Sequence, residues 1–399
     1  MEQIWFIPMV ATLIAAAIFT FAAINTGVGK PQTRNYFPIE RKQLIPLAVI
    51  VILYIPLAFW QLGSTNSPGS YAKFTDGSLS LQVSDEQPLP EYVDVAYFSG
   101  IGTGEYTVEV YDGAEWYHYA VWSQNYAEIL KWHRAAPMGN ASPIQEIRIT
   151  ASNPGMQLGE LVLTDEYGNY IQLLSSGASA ALTDEPYCPV DTNDWMYNSY
   201  FDEIYHPRTA LEHIEKITPF EISHPPLGKI LLSIGIRIFG MNPFGWRFIG
   251  ALFGILMLIP IYIFVQNMFG RTLVSVCATV LFALDFMHYV QTRIATIDTE
   301  AVFFIILMFY FMYRWFVMEP ETPLRKVLPM LVLSGVTFGL GAATKWICIY
   351  GGLGLAWLWA AKLIRIYKAP KASFAPPPAE QSESNRPIAV KKPKYAANS

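Results

Sequence analysis

Seven apolar runs decide what this chain can fold into. They occupy residues 4–24, 44–62, 248–269, 273–289, 301–317, 327–343 and 347–364, and each approaches the ~20 residues that a bilayer's hydrocarbon core demands of a helix. With 52% hydrophobic residues, 15% charged residues and a mean hydropathy of +0.27, the 399-residue chain is too apolar for an ordinary soluble protein and far too apolar for disorder. The first run lacks the basic start and small-residue cleavage site of a signal peptide, so it is expected to be retained as a helix. An eighth stretch, 227–240, is too short to span. Lys229, Ser233 and Arg237 recur there at every fourth position against Ile230, Leu231, Ile234 and Ile238, the pattern of an amphipathic helix lying flat in the interface.

Charge tests that choice. The net charge of −5 hides a partition, because residues 63–223 hold 23 of the 32 acids but six of the 27 bases. With 227–240 flat, Lys30, Arg34, Arg41, Lys42, Arg271, Arg325, Lys326, Lys362, Arg365, Lys368 and Lys371 all fall on one side of the membrane. Bases favour cytoplasmic loops, which leaves the acidic segment extracytoplasmic. If 227–240 spanned, every later loop would change sides. The bases sit in short loops rather than on one contiguous face, so no nucleic-acid partner is expected. The lipid bilayer is the partner that composition demands.

The fold class read from this pattern is an α-helical multi-spanning membrane protein with an inserted extracytoplasmic β-sandwich. Two N-terminal transmembrane helices are expected over 1–63, the β-sandwich-like insertion over 64–190 and an external loop with interfacial helices over 191–246. Five transmembrane helices follow over 247–368, then a disordered cytoplasmic tail over 369–399. Within the insertion, residues 78–83, 93–98, 106–110, 146–151 and 159–163 alternate or cluster β-formers between Gly, Pro, Asn and Asp turns. Trp116, Tyr117, Tyr119, Trp122, Tyr126 and Trp132 could stack on sugar rings, but aromatic residues in a compact β-domain are more often core. Gly100-x-Gly102 opens no helix and reads as a turn. Asn140-Ala141-Ser142 is a glycosylation sequon on the external side. Cys188, Cys277 and Cys348 allow neither a disulfide framework nor a paired-cysteine metal site.

Ionisable residues held against the membrane are costly and usually functional. Asp202 and Glu203 lie just ahead of a helix that Pro207 can start. His224-Pro225-Pro226-Leu227-Gly228-Lys229 opens the flat helix, Arg247 begins the next span, Asp285, His288, Arg293 and Asp298 surround one external turn, and Lys345 occupies another. Each has a plainer reading. Asp202 and Glu203 could be loop acids favoured by a helix dipole, and Arg247, Arg293 and Lys345 could snorkel to headgroups. Asp285 and Asp298 could be partners for Arg293. His224 and His288 lack spaced ligand partners and are poor metal candidates. Convergence on one face from four loops is what favours function.

In order and spacing, Phe201-Asp202-Glu203-Ile204-Tyr205-His206, His224-Pro225-Pro226-Leu227-Gly228-Lys229, Asn242-Pro243-Phe244-Gly245-Trp246-Arg247, Phe269-Gly270-Arg271, Gln291-Thr292-Arg293 leading into Ile297-Asp298, and Thr344-Lys345-Trp346 resemble the polyprenol-phosphate-mannose protein O-mannosyltransferases. These are glycosyltransferases of the C-type fold. The resemblance covers 200–365 well and 40–62 loosely, and leaves 64–190 as an insertion in the first external loop. It implies a polyprenyl-phosphate sugar donor, the sugar being mannose, and a Ser or Thr hydroxyl of an exported protein as acceptor. Asp202 matches the family's catalytic aspartate, and Glu203 would position the acceptor or share its proton. Arg247 matches the phosphate-binding arginine; Arg293, Lys345, His224 and Lys229 are the further donor-binding candidates. Asp285 and Asp298 form an acidic second loop. One displacement with one base would invert the anomeric centre. No cofactor or metal is expected to be required, although Asp202 and Asp298 could share a divalent cation. The resemblance implies an integral, multi-pass protein with an extracytoplasmic site, in the plasma membrane of a prokaryote. Relatives carry further spans after the region of Lys345, so a dimer or a second chain completing the fold stays open. The alternative is a non-catalytic, membrane-anchored glycan or glycolipid binding protein.

Overall fold

A computed structural model describes residues 36–75, 77–84, 92–139, 144–185, 187–189 and 191–368. The run at 4–24, the Asn140 sequon and the tail at 369–399 lie outside the described residues. Helices α1 (Leu44–Phe59), α2 (His206–Glu215), α3 (Leu227–Phe239), α4 (Pro243–Phe269), α5 (Thr272–Ala283), α6 (Phe286–Gln291), α7 (Asp298–Phe316), α8 (Leu324–Thr344) and α9 (Ile347–Lys368) build the membrane part. Among the described residues, five are long and apolar enough to cross a membrane: α1 with its preceding turn, α4, α7, α8 and α9. The protein is an integral, multi-pass membrane protein.

Local chemistry sets the helix limits. Helix α4 starts where the Asn242 side chain accepts the Gly245 amide at 2.7 Å and Pro243 fills the first turn; it stops at Gly270, whose φ of +67° is left-handed. The run at 273–289 is not one continuous span. Asp285 takes an extended conformation and its carboxylate accepts the His288 amide at 3.0 Å, so a new helix is capped there and the run splits into α5 and α6. The 12 residues of α5 reach about 18 Å, short of the ~30 Å core. The segment still returns the chain from Gly270 to the end of the bundle where α1 finishes, since Arg293 meets the carbonyl of Gln61 at 2.8 Å.

The end of α1, the starts of α4, α7 and α9 and the end of α8 share that end of the bundle. Arg41, Lys42, Arg271, Arg325, Lys326, Arg365 and Lys368 flank the opposite helix ends. Helix α3 has 13 residues and is too short to span. Lys229 and Ser233 face inward, while Ile230, Ile234 and Ile238 form an exposed apolar stripe. Gly235 lets it cross α4 closely, as a Cβ there would lie 2.3 Å from the Gly245 carbonyl oxygen.

Between α1 and α2 stands a β-sandwich made of β1 (Ala72–Lys73), β2 (Ser78–Val83), β3 (Tyr92–Ser99), β4 (Gly104–Tyr111), β5 (Trp116–Gln124), β6 (Trp132–Arg134), β7 (Met138–Gly139), β8 (Glu146–Ala151), β9 (Gln157–Thr164), β10 (Tyr170–Ile171) and β11 (Leu173–Leu174). One sheet runs β1-β9-β3-β6, with β10 on β9 and β7 on β3; the other runs β11-β2-β8-β4-β5, and the pairings are antiparallel. Tyr106, Val108, Val110, Ile147 and Ile149 interdigitate with Val95, Tyr97, Leu161 and Leu163 to form the core. The opposite face of β3 and β9 is buried too: Ala96, Phe98 and Val162 pack with Leu232, Ile236, Trp246 and Ile297. β9 is accordingly buried from Gln157 to Leu163 on both faces, with Leu158, Leu161, Val162 and Leu163 as its apolar positions. That second core seats the sandwich on the helices that carry the site. Strand β5 was not anticipated by alternation. Its Trp122 stacks on Tyr97 at 4.2 Å, while Tyr117 and, beyond the strand, Tyr126 stay exposed.

Candidate active site

The turn at Phe201–Ile204 sends its two acids different ways. Phe201 takes a left-handed φ of +55°, a costly conformation for a bulky residue. Glu203 is sealed inside the protein. Its oxygens accept from Arg247 Nε and Nη2 at 2.7 Å each, from the Ala295 amide at 2.9 Å and from the Tyr200 amide at 2.8 Å. Arg247 is equally buried. Its remaining donors reach the carbonyls of Leu62, Trp195 and Asn198 at 3.0–3.1 Å, so all five guanidinium N–H groups are committed within the protein. This geometry leaves Arg247 no donor for a phosphate and Glu203 no lone pair facing an acceptor. The phosphate-contacting and acceptor-positioning roles expected of them give way to a bracing one.

Asp202 has the opposite surroundings. Its carboxylate is half-buried and makes no hydrogen bond among the described residues, and burial holds its pKa above the usual aspartate value. Lys345 and His224 act on it in the stabilising direction and Asp298 in the opposing one. Lys345, at the end of α8, donates to both oxygens of Asp298 at 2.8 and 2.9 Å. Asp298, considered as one half of a cation site with Asp202, is thus an ion-pair partner of Lys345. Gly228 makes this assembly possible: a Cβ there would lie 2.6 Å from the Ile297 side chain and 3.1 Å from that of Thr344.

Behind Asp202 lies a network that sequence reasoning missed. Glu221 bonds to the Lys229 ammonium, the Ser223 amide at 2.8 Å, the His224 amide at 3.1 Å and His224 Nδ1 at 3.2 Å. Burial raises its pKa, but the hydrogen bonds from Lys229, Ser223 and His224 win and hold it at about 2. Lys229 also donates to the carbonyls of Glu221 and His224 at 3.0 and 2.9 Å. Its three N–H groups are used, so the donor-binding role expected of Lys229 becomes a framework one. His206 stands edge-on to His224 at 6.0 Å with Nδ1 buried and unpartnered, and burial pushes it down to about 4, keeping it neutral at physiological pH. Trp346 Nε1 donates to the Ser223 carbonyl at 2.7 Å, tying this network to Lys345.

Arg293 keeps different company. It donates to the Tyr289 hydroxyl and to the carbonyls of Trp60 and Gln61, and it pairs with neither Asp285 nor Asp298. Asp285 caps α6 instead. Of the candidates read from the sequence, Asp202, His224, Asp298 and Lys345 come together, Glu203 and Arg247 pair beside them, and Arg293 stands apart. Among the described residues no group of three or more His, Cys, Asp or Glu side chains could hold a metal ion.

Residues 237–369 match the family model of the dolichyl-phosphate-mannose-protein mannosyltransferases. That segment carries Arg247, Arg293, Asp298 and Lys345, while Asp202 and His224 precede it. The chain is 31% identical over 167 residues to the polyprenol-phosphate-mannose–protein mannosyltransferase of Mycobacterium tuberculosis, covering 35% of this chain and 31% of the relative. It is 31% identical over 146 residues to the protein of that name from Mycolicibacterium smegmatis (32% and 28% covered), and 28% identical over 150 residues to that from Corynebacterium glutamicum (32% and 28%). The matches thus span about a third of the curated relatives' length. No solved structure matches the chain. The resemblance to the polyprenol-phosphate-mannose protein mannosyltransferases that the motifs led us to expect is borne out over the segment that carries Arg247, Asp298 and Lys345.

Proposed function

We propose that the protein is a membrane transferase that moves a mannosyl group from a polyprenyl-phosphate carrier to a Ser or Thr hydroxyl of an exported protein. The observation that carries this reading is Asp202: a half-buried carboxylate with no hydrogen bond among the described residues and a raised pKa, under the influence of the Lys345–Asp298 pair. A hydroxyl nucleophile needs a base within reach, and a carboxylate whose pKa is pushed upward is a better one. In the step, the acceptor oxygen forms its bond to the anomeric carbon and its proton passes to Asp202. The bond from that carbon to the phosphate oxygen breaks, and its electron pair leaves with the polyprenyl phosphate. Lys345 is the cation nearest in electrostatic terms to Asp202, and a fixed cation there stabilises the charge that develops on the leaving group. One displacement inverts the anomeric centre. The acidic insertion and the basic opposite helix ends support an extracytoplasmic site.

The test is transfer of labelled mannose from a synthetic polyprenyl phosphate to a Ser/Thr-rich peptide by the purified chain in lipid, with Asp202→Asn beside it. Transfer by the wild type and none by folded Asp202→Asn is expected. Equal transfer by both removes Asp202 from the reaction.

A further inference from the structure

We propose that the inserted β-sandwich is part of the acceptor site, and that Tyr126 on the sandwich, with Tyr205 and Phe220, forms an aromatic rack on which an extended acceptor polypeptide docks. This deepens the transferase reading and rests on it. The three rings follow one another past Asp202. The ring of Tyr126 lies 6.1 Å from that of Tyr205 with 22° between their planes, and Tyr205 lies 6.4 Å from Phe220 with 4° between them. Tyr126 and Phe220 are 49% and 44% exposed, so both end rings are open to a ligand. Tyr205 belongs to the turn of Asp202, since its amide donates to the Asp202 carbonyl at 3.0 Å. Burial raises the pKa of its phenol, and Tyr126 and Asp202, both close enough to act on it, push the same way. The rack therefore leads from the sandwich to the carboxylate that takes the acceptor's proton in the proposed reaction.

Tyr126 is held in place there from both sides. Before it, the Asn125 side chain accepts the Ala127 amide at 2.8 Å and the Asn125 carbonyl accepts the Glu128 amide at 3.1 Å, a local turn. After it, Ile129 and Leu130 are fully buried in the core that the sandwich shares with α3 and α4. The same loop grips the chain just ahead of Asp202: the Ser199 hydroxyl donates to the Ile129 carbonyl at 3.0 Å, the Ser199 amide to the Leu130 carbonyl at 3.1 Å, and the Trp132 amide to the Asn198 side chain at 2.8 Å. A tyrosine fixed in this way offers a large contact area at little cost in entropy, and aromatic-lined tracks of this kind receive extended polypeptide. Charge points to the same occupant. Tyr126 stands on the sandwich rather than at the end of a spanning helix, where aromatic residues meet headgroups, and residues 63–223 carry 23 acids against six bases, which repels anionic lipid and suits a neutral or basic peptide.

The experiment is fluorescence anisotropy of a labelled Ser/Thr-rich peptide with the full chain in lipid nanodiscs and no sugar donor present, so that binding is read without chemistry. Tyr126→Ala is expected to weaken peptide binding about tenfold, the loss of one aromatic anchor. Tyr126→Phe, which keeps the ring, is expected to bind as wild type does, and thermal unfolding checks that both variants fold. In the transfer assay, Tyr126→Ala is expected to raise the KM for peptide by a similar factor and to leave the KM for donor unchanged. No binding by wild type, undiminished binding by folded Tyr126→Ala, or equal loss in folded Tyr126→Phe overturns the rack. Displacement of the peptide by a mannose oligosaccharide at equal concentration assigns the rings to sugar and overturns the polypeptide assignment. The two readings fail separately: binding that depends on Tyr126 without any transfer removes the reaction and leaves the docking, whereas transfer with an unchanged peptide KM in Tyr126→Ala removes the docking and leaves the reaction.

Discussion

Arg247 grips both oxygens of Glu203 at 2.7 Å, with each side chain fully sealed from solvent. The pair joins the start of α4 to the turn that carries Asp202, and through the Ala295 amide it also holds the segment leading into Asp298. A base is useful only where its position is fixed against the reacting atoms. Among the described residues the Asp202 carboxylate makes no hydrogen bond that would fix it, so its placement is inherited from its neighbour in sequence. In the proposed reaction the two acids divide the labour: Asp202, half-buried, exchanges the proton, and Glu203, sealed against Arg247, anchors the turn.

Breaking the anchor should therefore cost folding rather than chemistry alone. Glu203→Gln leaves the Arg247 charge buried without its counter-ion, a loss of about 3–5 kcal/mol. We expect a lowered unfolding temperature and poor recovery of monodisperse protein in detergent. Stability equal to wild type would show that the pair does not brace the turn.

Asp202→Asn should behave in the opposite sense. Burial raises the Asp202 pKa in the folded protein, so the native state favours the protonated form and the charged form weakens it. The sign follows: this contribution to stability is fully present at low pH and is lost as pH rises through the folded pKa. At neutral pH Asp202→Asn removes that penalty and should be as stable as wild type or slightly more so, with the difference vanishing in acid. Thermal unfolding of both proteins between pH 4 and 8, about the range over which such carboxyls titrate, measures it.

Lys345 and Asp298 should move the pH profile of transfer in opposite directions. Lys345 lowers the Asp202 pKa and Asp298 raises it. Lys345→Met is expected to lower the rate by about 10²–10³, the range for removing one preorganised electrostatic group, and to shift the acid limb to higher pH. Asp298→Asn is expected to shift that limb to lower pH. Initial rates across pH with saturating donor distinguish the two, and shifts of equal sign would remove these groups from the base's surroundings.

Much of this arrangement was legible in the sequence, and the limits were physical. Strands β2 and β8 fall at the residues predicted from alternation because each has one face in the core and one outside. The run at 273–289 misled because hydropathy does not register a single side chain capping a new helix, as Asp285 does. Charge near the membrane singled out Asp202, His224, Asp298 and Lys345, which the fold brings together. It could not separate them from Arg247, whose donors are spent on carbonyls and an acid distant in the chain, or from Lys229, whose donors are spent on Glu221 and the His224 carbonyl just before it. Glu221 went unnoticed because its partners Lys229 and His224 had been read as facing a ligand.

Glu221 offers a prediction of its own. Its folded pKa of about 2 lies below the ordinary 4.5, so it stabilises the native state above the ordinary value and that contribution disappears as pH falls toward the folded one. Glu221→Gln should lower stability at neutral pH and flatten the loss of stability expected of wild type between pH 4.5 and about 2. An acid titration followed by intrinsic fluorescence tests this, and parallel curves for the two proteins would mean that the Lys229 and His224 bonds do not couple to folding.

Gly228 is the position where packing and chemistry meet most directly. A Cβ there would lie 2.6 Å from Ile297 and 3.1 Å from Thr344, the residues that immediately precede Asp298 and Lys345. Gly228→Ala must push α3 away from both, at a cost of about 1–3 kcal/mol for overpacking. Because the displaced neighbours carry the two halves of one ion pair, transfer should fall by more than the loss of folded protein explains. Transfer per folded molecule, quantified by size exclusion before the assay, separates the two effects. A variant that loses stability but keeps its specific rate would show that the Lys345–Asp298 pair tolerates movement of the helix beneath it.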